Sequence, residues 1–298
     1  YTLCRYNLRE KTFTRRESME SNSPMDKITT IQSSSLLIEY LGQAGFWIKA
    51  PGVSFLIDPY LSNYVVDSGA GSGDGFQRAF PPPEDPQTMH KVDLVFITHD
   101  HADHCDPQTL LPLYRSNPQL KIICPPSCSR LLRSYGIPDS NLLEPATGET
   151  YPMGDLTFTV VPSAHYLREI DPATGKDLYV GYVIKVNGVS LYHSGDTILY
   201  PGMVEAIQAV TADLDIVCLP VNGRDARREA LGIVGNLNGE EALQITRQLS
   251  ARVLLPMHND LFASNREDPG ILASLANREA PLQRIHWLKP GEVYWYLK

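Results

Sequence analysis

From residue 35 onward the chain alternates short apolar runs with glycine, proline and polar punctuation. Residues 36–40, 45–49 and 53–57 are three such runs separated by turn residues, and they predict an antiparallel meander. Residues 94–97 are apolar throughout and too short for a helix, which predicts a strand buried on both faces. Asp106-Pro107 then pairs an N-cap with proline at the first helical position, so a helix starts there. Residues 120–124 read as a strand and 127–135 as a short helix that Gly136 closes. That alternation implies parallel pairing. Residues 156–161 form a further strand, and 180–186 with 189–192 form a hairpin about Asn187-Gly188. Residues 214–219 and 253–255 are apolar strands flanking a helix that Asn238 caps, with Glu240 and Glu241 at its positive end and its finish near residue 250. Two short strands, 284–287 and 293–296, close the chain.

Two stretches break the pattern. Residues 61–90 are rich in Gly, Ser and Pro, and a loop of that length predicts a functional lid or mobile segment. No Lys-Ser/Thr pair follows its glycines, so it is not a phosphate loop. Residues 1–30 are polar and basic, without the apolar core of a secretory signal. They are expected to be an arm, either packing on a partner or lying upstream of a natural start at Met19 or Met25. Residues 31–298 are expected to form one domain, although 298 residues could also make two small ones.

Composition narrows the class. A hydrophobic share of 43% and a charged share of 20% are ordinary for a globular chain. The net charge of -8 argues against a nucleic-acid surface, and an anionic substrate would need local cations or metal. No apolar run approaches the roughly 18 residues of a membrane span. Five scattered cysteines fit a reduced, cytoplasmic chain. Cys124 and Cys128 lack a second pair for a zinc knuckle, and Cys105 is either a ligand or a bland neighbour of the stretch described next.

That stretch is His99-Asp100-His101-Ala102-Asp103-His104, at the end of the 94–97 strand. It holds three of only 8 histidines. His99 and His101 are two apart and leave extended backbone on the same side; Asp103 and His104 follow at the turn. A His/His pair and an Asp/His pair delivered into one cleft suit two adjacent divalent cations. The donors suit zinc, manganese or iron rather than calcium. His165, Asp196 and His258 each follow a predicted strand and are further ligand candidates. Asp196 could instead cap the helix after Pro201. Asp58, ending the third strand, is either a strand-end cap or a carboxylate that orients a ligand histidine. His193 is either a donor behind the ligands or a core residue.

His99-x-His101-x-Asp103-His104, followed in order by His165, Asp196 and His258, resembles the signature of the metallo-β-lactamase-fold hydrolases. Residues 40–49, 98–104, 191–196 and 256–265 are most similar to the UlaG-like branch, the L-ascorbate-6-phosphate lactonases, over roughly residues 35–298. His165 departs from that branch and makes the ligand set fuller. The resemblance implies an α/β fold, an αββα sandwich of two mixed sheets flanked by helices, together with hydrolase activity and a homo-oligomer. On this reading His99, His101 and His165 hold one cation, and Asp103, His104 and His258 hold the other. Asp196 lies between them, and Asp103 orients the attacking water and shuttles its proton. Asn222, Arg224 and Asn259 lie on loops that should reach the same cleft and are the candidate substrate contacts. Arg224 is either a clamp for an anionic group or a solvated loop arginine. The expected reaction is hydrolysis of a small-molecule lactone or related ester. A phosphodiesterase of the N-acyl-phosphatidylethanolamine phospholipase D type and a non-catalytic metal-binding module are the alternatives.

Overall fold

The computed structural model describes residues 34–230 and 232–298, so the expected arm at residues 1–30 lies outside the described residues. One sheet is built from β1 (Ser35–Gly42), β2 (Gly45–Ala50), β3 (Val53–Ile57), β4 (Leu94–Phe96), β5 (Lys121–Ile123) and β6 (Leu142–Leu143), with β14 (Val293–Leu297) on its outer edge. The other runs β13-β12-β11-β10-β9-β8-β7. Its strands are β7 (Thr150–Met153), β8 (Leu156–Pro162), β9 (Val180–Val186), β10 (Val189–His193), β11 (Ile216–Pro220), β12 (Val253–Met257) and β13 (Arg284–Ile285). Each sheet is mixed. The meander pairs antiparallel and β3 to β6 pair parallel; β7 to β10 pair antiparallel and β10 to β13 parallel.

Strict alternation along each strand makes the layers. In β4, Leu94 and Phe96 enter the core between the sheets, while Val95 faces the helices outside. In β11, Ile216 and Cys218 point inward, and Val217 and Leu219 point outward. Both faces are covered, which is why these strands read as unbroken apolar runs. Helices α2 (Pro107–Ser116) and α3 (Pro126–Ser134) belong to the half of the chain that builds the first sheet, as does the single-turn α1 (Tyr64–Asp67). Helices α4 (Met203–Gln208), α5 (Ala226–Ala230), α6 (Gly239–Gln248) and α7 (Pro269–Glu279) follow strands of the second. The result is the expected αββα sandwich.

The sheets are locked together under one end. Phe96 meets Phe158 and Tyr182 across the interface, each at 5.1 Å between ring centres and edge to face. Truncating such a buried ring costs about 3–5 kcal/mol. The Tyr182 hydroxyl donates to the Ile97 carbonyl at 2.7 Å, and the Val180 N–H donates to the Thr98 carbonyl at 3.0 Å. The second sheet therefore grips the first at the residues that lead into His99.

Several local expectations meet their structure. Asp106 accepts from the N–H groups of Gln108 and Thr109. Asn238 and Glu241 make a reciprocal capping box. Asn187 and Gly188 both have positive φ, as a tight hairpin turn requires. Part of the 61–90 segment forms a wall beside this end. Tyr60 and Val65 pack on Leu261 and Phe262, and Arg78 donates to the carbonyls of Tyr60 and Ser62.

Candidate metal centre

Apolar contacts on both faces carry β4 to Ile97, and the direction changes after Thr98. The N–H groups of His104 and Cys105 both donate to the His101 carbonyl, at 3.0 and 2.8 Å, closing the turn. Helix α2 starts immediately after it. Four potential ligands thus leave the chain within six residues and face the ends of the parallel strands, where open α/β sheets commonly bind ligands.

Asp58 holds this turn from behind and is fully buried. One oxygen accepts the Thr98 N–H at 2.8 Å. The other contacts the Thr98 hydroxyl at 2.6 Å and His104 Nδ1 at 2.7 Å. Thr98 Oγ1 in turn lies 3.0 Å from His99 Nδ1. One carboxylate therefore sets the ring of His104 directly and that of His99 through a hydroxyl, leaving the Nε2 atom of each ring to face the site. Of the two readings of Asp58, the structure shows the orienting one. His193 is fixed differently: its Nε2 donates to the Ala44 carbonyl at 3.0 Å and its Nδ1 accepts the Gly195 N–H at 3.1 Å. It is buried and shapes the turn before Asp196.

The other three ligand candidates arrive from the second sheet. His165 follows β8, Asp196 follows β10 and His258 follows β12. The Ser163 hydroxyl donates to the Ser194 carbonyl at 2.6 Å, and the Ile198 N–H donates to the Ala164 carbonyl at 2.8 Å, so the His165 and Asp196 loops are tied to each other. Gly195 has φ +61°, and a Cβ there would lie 2.6 Å from Thr98. Only glycine brings the two strand ends this close. His258 itself has φ +63°, a conformation costly for a side-chain-bearing residue, and its N–H donates to the Gln43 carbonyl at 2.5 Å.

All seven side chains converge. His99, His101, His165 and Asp196 form one group and Asp103, His104 and His258 another; within each, one donor atom per residue lies within 4.8 Å of all the others. Asp196 reaches both groups: Oδ2 lies 3.7 Å from His165 Nε2 and 3.1 Å from His258 Nε2, and Oδ1 lies 3.3 Å from His104 Nε2. The fit to a cation shows in what these atoms lack. His99 Nε2, His104 Nε2, His165 Nδ1 and Asp196 Oδ1 are buried without a hydrogen-bond partner. Such orphans are costly unless something else satisfies them.

Electrostatics separate the histidines. Burial, reinforced by neighbouring His104 and His101, holds His99 well below the usual imidazole pKa. Burial lowers His165 to about 4. Burial also opposes charge on His104, but Asp196, Asp103 and Asp58 outweigh it and raise that pKa well above normal. His258 is likewise raised against burial, to about 9, by Asp196 and Asp103. Without an ion, the neighbouring carboxylates favour protons on His104 and His258. A cation binding there must displace those protons, because imidazole ligates only when neutral.

Two amides behind the ligands escaped the sequence reading. Gln43 Nε2 donates to Asp103 Oδ2 at 2.7 Å and lies 2.9 Å from His258 Nε2. The Asn265 side chain meets His258 Nδ1 at 3.1 Å. Gln43 sits in the Gly42–Gly45 turn with φ +58°, and a long polar residue in so tight a turn was the available signal. Asn265 lies in the 256–265 stretch but outside the histidine pattern.

The three candidate substrate contacts do not gather with the ligands. Arg224 forms a two-pronged ion pair with Glu241, at 2.8 and 2.7 Å, and also donates to the Asn236 carbonyl. Asn222 is fully buried and donates to Asn265 Oδ1 at 2.6 Å, so it stands behind the His258 support. Asn259 is buried as well and does not line the cavity over the site. Loop position gave their neighbourhood but not their direction. Cys105 is buried among the apolar residues under α2 and joins neither ligand group.

The chain matches the beta-lactamase superfamily domain over residues 54–259. It is 30% identical over 206 residues to a UPF0173 metal-dependent hydrolase of Methanoculleus marisnigri, covering 67% of this chain and 80% of that one. A UPF0173 metal-dependent hydrolase of Caldivirga maquilingensis is 26% identical over 86% of this chain and 96% of its own length. Among solved structures, the metallo hydrolase Igni18 of Ignicoccus hospitalis superposes with a TM-score of 0.63 at 22% identity, covering 88% of this chain and 99% of that one. An isothiocyanate hydrolase from Delia radicum gut bacteria superposes with a TM-score of 0.67 at 20% identity, covering 88% and 100%.

Proposed function

From the premise that the chain belongs to the beta-lactamase superfamily and is a metal-dependent hydrolase of that fold, we propose that it hydrolyses a lactone or a related ester. The resemblance of its motifs to the L-ascorbate-6-phosphate lactonases supports the lactone. His99, His101 and His165 would hold one divalent cation and Asp103, His104 and His258 a second, with Asp196 between them; manganese, zinc or iron suits these donors. Bound there, such ions supply Lewis acidity and lower the pKa of water.

The protein's own groups do the rest. Asp103 is the more accessible of the two carboxylates, with its side chain 17% exposed against 4% for Asp196. The Gln43 amide fixes one of its oxygens. The other is left to take a proton from the attacking water and deliver it to the leaving oxygen. Asp58 and Thr98 keep two imidazoles aimed, so that little reorganises during reaction. The wall from residues 61–90 shelters the reacting carbonyl. Four free, buried cysteines among the described residues support a reducing, cytoplasmic setting.

The observation that carries this reading is the set of orphaned ring nitrogens and one carboxylate oxygen meeting beside a cavity of about 540 Å³. A second reading, a phosphodiesterase of the phospholipase D type, is favoured by Tyr166 and Leu167, large apolar side chains left exposed directly after His165. A panel of lactones set against bis-(p-nitrophenyl) phosphate, with manganese- and zinc-loaded protein, separates the two. Turnover of lactones is the expected result; turnover of the phosphodiester alone would replace the first reading by the second.

A further inference from the structure

The cavity above the ligands has two unlike parts. Its floor is five of the seven donors, His101, Asp103, His165, Asp196 and His258. Its walls are mostly apolar, with Val65 and Phe76 from the 61–90 segment, Leu131 from α3, Ile233 and Val234 from the loop before α6, and Phe262 beyond β12; the polar groups among them, Tyr64, Ser68, Ser264 and Asn265, are uncharged. No lysine or arginine is among the described residues that line it; the one charged residue outside the donor set is Asp100, which is exposed at the mouth.

Five arginines of the flanking segments are already paired. Arg224 is spent on Glu241, Arg168 on Asp177 and Arg130 on Asp171. Arg228 binds Asp225 and the Asn222 carbonyl. Arg78 gives its guanidinium to the carbonyls of Tyr60, Ser62 and Phe80, behind the wall. A phosphate or carboxylate remote from the scissile bond would therefore lie against apolar side chains and near the Asp100 carboxylate. It would lose its hydration without gaining a partner. An uncharged hydrocarbon group would instead bury itself there.

Resting on the hydrolase reading above, we infer that the part of the substrate away from the reacting bond is neutral and apolar: an alkyl or acyl chain or an aromatic ring. It is not the charged end of a sugar phosphate. The dimensions agree, since 540 Å³ lies within the usual range of small-molecule cavities, and such cavities are mostly apolar with a few placed polar groups. It also fits a cavity that no lysine or arginine lines among the described residues. Charge recognition is confined to the floor, and the walls select by shape and by loss of water.

The test uses the metal-loaded full chain and two matched ligand series. In the first, γ-lactones carry side chains from methyl to octyl, ending either in methyl or in carboxylate. The expected kcat/KM rises roughly three- to fourfold per added methylene until the cavity fills. The carboxylate-ended partners fall at least about tenfold below their neutral counterparts. In the second, acetohydroxamate, octanohydroxamate and a carboxylate-ended hydroxamate of equal length are compared by calorimetry, which reads binding without turnover. Octanohydroxamate should bind tightest. Val234→Arg places a cation on the wall and should erase or invert the neutral-over-anionic preference in both series. Equal or tighter binding of the carboxylate-ended hydroxamate by the unmodified protein overturns the inference. If no lactone is hydrolysed while the hydroxamates keep their order, the lactonase reading fails and the apolar specificity stands.

Discussion

His99, His101, Asp103 and His104 leave a single turn after one strand, whereas His165, Asp196 and His258 reach the same point from three strand ends of the other sheet. The first group is aimed by hydrogen bonds. Asp58 reaches two of its rings, one directly and one through Thr98. The second group is aimed mainly by backbone shape: a left-handed glycine before Asp196, a left-handed His258 and a loop tied to its neighbour. A short motif can carry many ligands when one buried carboxylate orients them. Dispersed ligands need the fold itself to bring them in, and they stand on strained or closely packed backbone.

Perturbations of each group should therefore fail in different ways. The largest effect is expected at Asp196, whose carboxylate reaches His104, His165 and His258. Asp196→Asn should abolish measurable hydrolysis and lower the metal content found by elemental analysis, while circular dichroism stays native. Next is Asp58→Ala, which leaves His104 and His99 unaimed and should weaken metal retention by about 10–100-fold in chelator competition. Asn265→Leu, the counterpart behind His258, should sit at about the tenfold end of that range, because it supports one ring rather than two. Equal losses from the two would erase the distinction between the groups.

Smaller effects test the backbone half of the comparison. Gly195→Ala combines a left-handed φ with a contact at 2.6 Å to Thr98, and should cost about 1–3 kcal/mol in thermal unfolding. Gly136→Ala has φ +91° but open space around the added methyl, so about 1 kcal/mol is expected. The difference between them measures how tightly the strand ends are pressed together. Smallest of all, Arg224→Ala removes a partly exposed ion pair. It should change stability by about 1 kcal/mol or less and leave KM for neutral lactones unchanged.

The same contrast governs what could be read from residues alone. The layers were legible because alternation in β4, β8 and β11 is strict and hairpin and cap signals at Asn187-Gly188, Asp106 and Asn238 are local. Helix α7 opens with the same Asp-Pro pair as α2, yet only Leu272 and Ala276 are buried along it, so its periodicity is faint. The His99–His104 turn declared itself by proximity. His165, Asp196 and His258 were legible only as strand-end residues, in an order that resembled a family. Gln43 and Asn265 were not legible, because an amide in a turn looks the same whether it faces solvent or a ligand. Arg224 shows the converse. Its loop is near the site, but Glu241, already recognisable in the capping box, claims its charge from across the loop.

The central claim is that these seven side chains bind metal ions. Elemental analysis of the full chain after saturation with manganese or zinc and removal of free ion tests it most directly. The account predicts two ions per chain, falling in Asp196→Asn. A folded protein that retains none under those conditions would contradict it.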